Sequence, residues 1–307
     1  MGRYVIRRLL QMIPVFIGTT LLIFVMVWGL GDPVAAKFGD RTPDPATANA
    51  LREQLHLNDP LIQQYWLYMK GVFTGDFGEA YNSQPVTDML KSAFPLTLRL
   101  TVVAFVMETV IGVALGLVAG LRRGRAFDTG VLAITLLVVS IPTFVTGYVL
   151  QYYVGVKWGI FHPAVQDGAP FKDLLMPGLV LAGVSLAYVA RLTRTTVAEN
   201  SRADYLRTAV AKGLPRRRVI VNHMLRNSLI PVVTFLGTDI GNLMAGALVT
   251  ERIFNIQGVG YQIYQGIVHV SPTTVVGFVT VLVIIFLLAN LLVDLLYAVL
   301  DPRIRYA

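Results

Sequence analysis

The sequence predicts an all-α integral membrane protein of six transmembrane helices, and three observations carry that expectation. Charged residues make up only 14% of the 307 and hydrophobic ones 55%, whereas a soluble domain carries nearer a quarter charged. The mean hydropathy is positive, +0.62. The apolar residues also fall in blocks of the roughly 20 residues needed to cross a bilayer, over about 9–30, 96–121, 129–156, 174–195, 228–250 and 274–300. A single membrane domain over residues 1–307 is expected, with no separate soluble one.

The first block follows Arg3, Arg7 and Arg8, as a signal peptide would, but it runs on to Leu30 with no small-residue cleavage site. It therefore reads as a retained first span. Residues 31–95 form an external segment. Within it, Leu51, Leu55 and Leu57, then Leu61, Ile62, Tyr65, Trp66 and Met69, predict two short amphipathic helices on either side of Asn58-Asp59-Pro60. Two roles stay open for this segment. It could cap the span ends at the bilayer interface with Tyr65, Trp66 and Tyr68 as anchors, or it could be a platform for an external partner.

The second span carries Gly112, Gly116 and Gly120 at four-residue spacing, a small-residue face on which another helix can approach closely. Glu108 lies near its middle, and Arg99 near its outer edge should snorkel to the interface. Pro142 should kink the third span. The fifth span is the least uniformly apolar: Thr234, Thr238 and Gly241 recur at helical spacing, with Asp239 and Asn242 beside them. Ionisable groups at such depth are costly and default to functional or paired roles. Glu108, Asp239, Asn242 and Thr238 are therefore the candidates for lining a translocation path. After the fifth span, Thr250 to Tyr261 contains Gly258 and Gly260, which mark either a re-entrant turn or a plain connection.

Between the fourth and fifth spans, residues 196–227 are strongly basic. Asp204 to Lys212 reads as a helix, Gly213 can end it in the left-handed conformation, and Pro215 suits the first turn of a second helix through Arg226. The product is a helix–elbow–helix lever. Seventeen Lys and Arg residues, nine of them from Arg191 to Arg226, fall on the side of both termini and the lever, and eight fall on the other. That asymmetry predicts cytoplasmic termini and a cytoplasmic lever. It also accounts for the formal charge of +8 without nucleic acid.

The chain has no cysteine, which excludes disulfides and thiolate chemistry, and His56, His162, His223 and His269 are too scattered to form a metal site. No Gly-Lys dipeptide occurs, so no phosphate-binding loop is present and no cofactor is expected on this chain. The chain is not expected to be an enzyme. Uphill transport would need energy from another chain or from an ion gradient.

The lever resembles the loop of bacterial ABC-importer permeases, whose general pattern is Glu-Ala-Ala, three residues, Gly, nine residues, Ile-x-Leu-Pro. Arg207-Thr208-Ala209 stands in the first three places, followed by Gly213, with His223, Leu225 and Arg226 at the end. These departures are those of the peptide/nickel permease subgroup. The flanking motifs agree: Pro14, Gly31-Asp32-Pro33, Gly75-Asp76-Phe77-Gly78, Thr250-Glu251…Phe254…Gly258-Val259-Gly260 and Asp301-Pro302-Arg303. Leu30 and Ser271-Pro272 depart from the subgroup pattern on the external side.

The resemblance implies a permease in the inner membrane, paired with a second, homologous permease. It also implies two cytoplasmic ATPases carrying ATP and Mg, an external solute-binding protein, and a di- or oligopeptide substrate. Nickel chelates or glutathione are the alternative cargo. An ion-coupled secondary carrier is the alternative class, although no inverted repeat with paired broken helices is evident. The lever would then be a coupling helix seated on an ATPase through Tyr205, Leu206, Arg207, Thr208, Ala209, Lys212, Gly213 and Leu214.

Overall fold

The computed structural model describes residues 2–28, 34, 44–54, 56–166 and 168–300. Leu30, Gly31-Asp32-Pro33, Leu55, Asp301-Pro302-Arg303 and Arg305 lie outside the described residues. Among the described residues every regular element is a helix, apart from one antiparallel bridge between Glu79 and Pro85. The helices are α1 (Gly2–Trp28), α2 (Pro45–Gln54), α3 (Leu61–Thr74), α4 (Val86–Leu121), α5 (Ala126–Ser140) and α6 (Thr143–Lys157). They continue with α7 (Phe171–Asn200), α8 (Asp204–Ala211), α9 (residues 216–228), α10 (Ile230–Ile253), α11 (Val259–Val268) and α12 (Pro272–Leu300). Five of these, α1, α4, α7, α10 and α12, are each long and apolar enough to cross a bilayer.

The α5–α6 pair, at the place of the expected third span, is apolar enough as a whole but is bent by 102° at its break, the geometry of a broken span or a re-entrant loop. The expected kink at Pro142 is therefore a full interruption. Pro142 sits in an extended conformation immediately before α6, because its ring bars the helical hydrogen bond and pushes Ile141 out of the helical region.

The residues divide into two compact units, 1–98 with 255–307, and 99–254. In the first unit α1 packs along α12, and α3 lies against α1. The helices α2 and α3 flank Asn58-Asp59-Pro60, as the apolar spacing predicts. Gly75 closes α3 in the left-handed conformation, and the Asp76 carboxylate accepts the Gly78 N–H at 2.9 Å. The Gly75-Asp76-Phe77-Gly78 motif is thus a turn that aims the chain back into α4. The Val259 N–H at the start of α11 donates to Thr97 Oγ1 at 2.8 Å, satisfying one of the donors a helix leaves open at its N-terminus. The Gly258-Val259-Gly260 motif accordingly opens a short helix.

In the second unit α7 is the most enclosed of the crossing helices. It lies in a seam on α4 cut by Gly112, Gly116 and Gly120. A Cβ at Gly116 would stand 2.6 Å from Thr193 Cβ and against the Ala190 carbonyl, and one at Gly120 would stand 2.8 Å from Val197. In lipid, where apolar side chains gain little by meeting each other, such backbone approach supplies the packing that holds helices together. Gly178 on α7 makes the matching approach toward Val103.

Gly116→Val should therefore destabilise the detergent-solubilised protein by about 1–3 kcal/mol, the usual cost of overpacking. Gly130→Ala, with nothing within 4 Å of the added carbon, should keep or slightly raise the unfolding temperature. Thermal unfolding of the two variants side by side checks the pair.

Candidate functional site: a helix elbow braced on the spans

Helix α8 ends where the Lys212 N–H reaches the Thr208 carbonyl and the Gly213 N–H reaches the Val210 carbonyl at 2.9 Å. Gly213 takes φ +76°, with open space where a side chain would stand. Strain, not crowding, is what demands glycine there. Pro215 then occupies the N-cap just before the second helix, one place earlier than the first turn the sequence predicts. Its fixed φ lets the chain leave the elbow extended, and the Arg218 N–H returns to its carbonyl at 2.8 Å. Residues 219–225 of α9 are π-helical, a widened turn that is frequent at functional sites.

The lever has two faces. Leu206 and Ala209 are buried and pack with Val197 at the end of α7 and with Val219 and Met224 of α9, and Leu117, Leu214 and Ile220 border the cluster. Ser228 closes α9 onto α7, its hydroxyl meeting the Thr196 carbonyl (3.4 Å) as well as its own helix at Met224 (2.9 Å). Leu206 and Ala209 thus grip this chain's own spans, and Leu214 is partly covered by the same cluster. The other face carries Tyr205, Arg207, Thr208, Lys212 and Gly213, all exposed. The Tyr205 hydroxyl meets Asn200 Oδ1 at 2.8 Å, Arg207 reaches Asp204 at 3.4 Å, and Thr208 donates to the Asp204 carbonyl. The eight sequence-named residues therefore divide between bracing and display. Periodicity could have found this division, since Leu206 and Ala209 lie three residues apart on one side of α8.

The neighbouring loop is fastened at the same level. Arg194 of α7 makes a two-pronged ion pair with buried Asp128 of α5, Nε to Oδ1 and Nη2 to Oδ2, each 2.8 Å. Asp128 also accepts the Gly124 N–H at 2.9 Å. The planar fork of arginine matches both carboxylate oxygens, which fixes direction as well as charge. From sequence alone Arg194 is only one of the basic residues between Arg191 and Arg226. Its partner lies 66 residues away on another helix, so only the fold brings the two together.

In the spans, Glu108 and Asp239 are near enough to act on one another's charge. Both are buried: Glu108 is 0% exposed, and neither of its oxygens has a hydrogen-bond donor among the described residues. Asp239 accepts the Asn242 amide at 3.2 Å on one oxygen only. Glu108 opens a π-helical turn, Glu108–Gly112, within α4. Thr238 and Asn242 lie on the exposed side of α10 with Thr234, and the Thr238 hydroxyl donates to the Phe235 carbonyl. Of the four span residues, the acidic two sit within this chain's own packing and the neutral two face out of it. Arg99 is exposed and reaches the Gly168 carbonyl at 3.4 Å.

Comparison with known proteins agrees with this architecture along the whole chain. Residues 112–306 match the family described as binding-protein-dependent transport system inner membrane component, and residues 1–101 match the N-terminal membrane component of such systems. The dipeptide transport system permease protein DppB of Escherichia coli strain K12 is 36% identical over 337 aligned residues, covering 100% of this chain and 99% of that protein. DppB of Bacillus subtilis strain 168 is 36% identical over 308, covering 99% and 98%. The oligopeptide transport system permease protein OppB of E. coli K12 is 32% identical over 309, covering each chain completely. With a lever braced on its spans and a family match over residues 112–306, the chain belongs to the inner-membrane permease components of binding-protein-dependent transport systems.

Proposed function

We propose that this chain is one pore-forming permease of an ATP-driven importer for di- and oligopeptides. It pairs with a second, homologous permease, receives substrate from an external binding protein, and is driven by two ATPases that hold ATP and Mg. The observation that carries this reading is the two-faced lever. Its inner face is built into the ends of α7 and α4 through Leu206, Ala209, Val197 and Leu117, while its outer face presents Tyr205, Arg207, Thr208 and Lys212. A push on the exposed face is passed to the spans because the buried face leaves no soft layer between them; packed interiors yield little. Relatives named for dipeptide and oligopeptide transport, aligned end to end, support the choice of cargo.

Both termini and the lever face the cytoplasm in this reading, from the excess of Lys and Arg on that side. Thr238 and Asn242, on the exposed side of α10, face the path or the second permease. Asp239 stands directly behind them, held by Asn242.

Sidedness is open to direct test, because the chain lacks cysteine. Lys212→Cys in intact cells should resist a membrane-impermeant maleimide and react once the inner face is opened; labelling of intact cells would reverse the orientation. Three substitutions in the reconstituted transporter separate the lever's parts. Gly213→Val should cost about 1–2 kcal/mol of backbone strain and cut binding-protein-stimulated ATPase activity several-fold, while the chain still inserts. Arg207→Glu should weaken copurification of the ATPases with the permease's stability unchanged. Leu206→Ala should destabilise the permease itself by about 2–3 kcal/mol. Asp239→Asn should lower peptide uptake without loosening the ATPases, and unchanged uptake kinetics would confine Asp239 to packing.

A further inference from the structure

We propose that α3 is embedded in one leaflet of the bilayer, with acyl chains covering the arc formed by Ile62, Trp66 and Phe73. The starting observation is depth. The inner face of α3 is fixed to the sides of two spans, well inside their ends. Tyr65 meets Thr20 of α1, hydroxyl to hydroxyl, at 2.9 Å. The Tyr68 hydroxyl donates toward Thr280 Oγ1 (2.9 Å) and the Val276 carbonyl (3.2 Å) of α12. Phe24 packs edge-on against Tyr65, with centroids 5.6 Å apart, and lies beside Tyr68.

Thr20 lies seven residues before the end of the apolar stretch Val5–Val27, and Thr280 eight residues after the start of Pro272–Val293. At 1.5 Å per residue these are depths of about 10 and 12 Å. The stretch in α1 is 23 residues long and so matches a hydrocarbon core of about 30 Å with little to spare, whereas α12 runs on to Leu300. Thr20 therefore falls within the core, and α3, fastened to it through Tyr65, is held at that depth.

The second observation is how the outward face of α3 is divided. Ile62 is 80% exposed, Trp66 71% and Phe73 81%, and at about 100° per residue they share an arc of roughly 40°. Gln63, Lys70 and Thr74, also exposed, occupy the adjoining arc. A face split lengthwise into apolar and polar strips suits a helix lying where acyl chains give way to headgroups. On α1, Leu22, Val25 and Met26 are likewise exposed and apolar. Of the three aromatics that the capping reading offered as interfacial anchors, Tyr65 and Tyr68 turn inward as the fastening, and Trp66 is the one exposed to the outside.

The leaflet is the outer one under the orientation proposed above. The burial itself rests on neither the orientation nor the cargo. The test uses the full transporter in vesicles of phosphatidylcholine and phosphatidylglycerol. Single cysteines replace Ile62, Trp66 or Phe73, with Gln63→Cys and Lys70→Cys for contrast, each labelled with bimane. Quenching by spin-labelled phosphatidylcholine should be roughly threefold stronger at 62, 66 and 73 than at 63 and 70, and quenching by iodide should run the opposite way. Iodide reaching 62, 66 and 73 as readily as 63 and 70 would overturn the proposal. So would insensitivity of 62, 66 and 73 to both quenchers, which would mean that protein covers them. Because lipid contact is read without transport, a failure here is distinguishable from failure of the importer reading.

Discussion

The close seating of α7 on α4 is the constraint on which the second unit depends. In a bilayer two helices gain little from meeting with leucines, because lipid tails offer the same apolar company. What they gain by interlocking is dispersion contact at short range, and Gly112, Gly116 and Gly120 permit it along three successive turns. The far end of α7 then carries Val197, the centre of the cluster under the lever, and Arg194, which grips Asp128. A helix held so tightly along its length transmits what is done to its end. The glycine seam and the braced elbow are consecutive parts of one mechanical path.

The elbow contributes the opposite property, a sharp change of direction that is independent of packing. Gly213 has nothing near it and is required only for its backbone angle. Pro215, two residues on, supplies an extended exit. These two residues set the angle locally, and the buried side of α8 fixes its bearing on the spans. The buried acidic pair follows a different logic. Glu108 and Asp239 place two carboxyl groups together in a region of low dielectric, beside a π-helical turn. Burying two such groups is costly, so they do not account for the stability of the spans.

Much of this was legible in the sequence because a bilayer simplifies the code. Length and apolarity alone place the spans, and Gly213 and Pro215 announce the elbow through the backbone angles only they favour. Legibility failed where a side chain's partner is remote. Leu206 and Ala209 look like a displayed apolar surface until Val197, Val219 and Met224 are seen beneath them. Tyr65 and Tyr68 look like interfacial aromatics until Thr20 and Thr280 take their hydroxyls. Pro142 was visible as a kink, but the 102° turn it introduces depends on what the two halves pack against.

By itself the sequence determined the class of molecule, the order of its apolar helices, the elbow and the basic face, because each follows from composition or from local backbone preference. The tertiary structure alone decided what the apolar side of the lever packs against, namely Val197, Val219 and Met224. It also decided that Glu108 and Asp239 are both buried, and that α3 is fastened against α1 and α12. Those outcomes depend on which surfaces come together across long stretches of chain, and a linear pattern records the character of a surface without recording what will cover it.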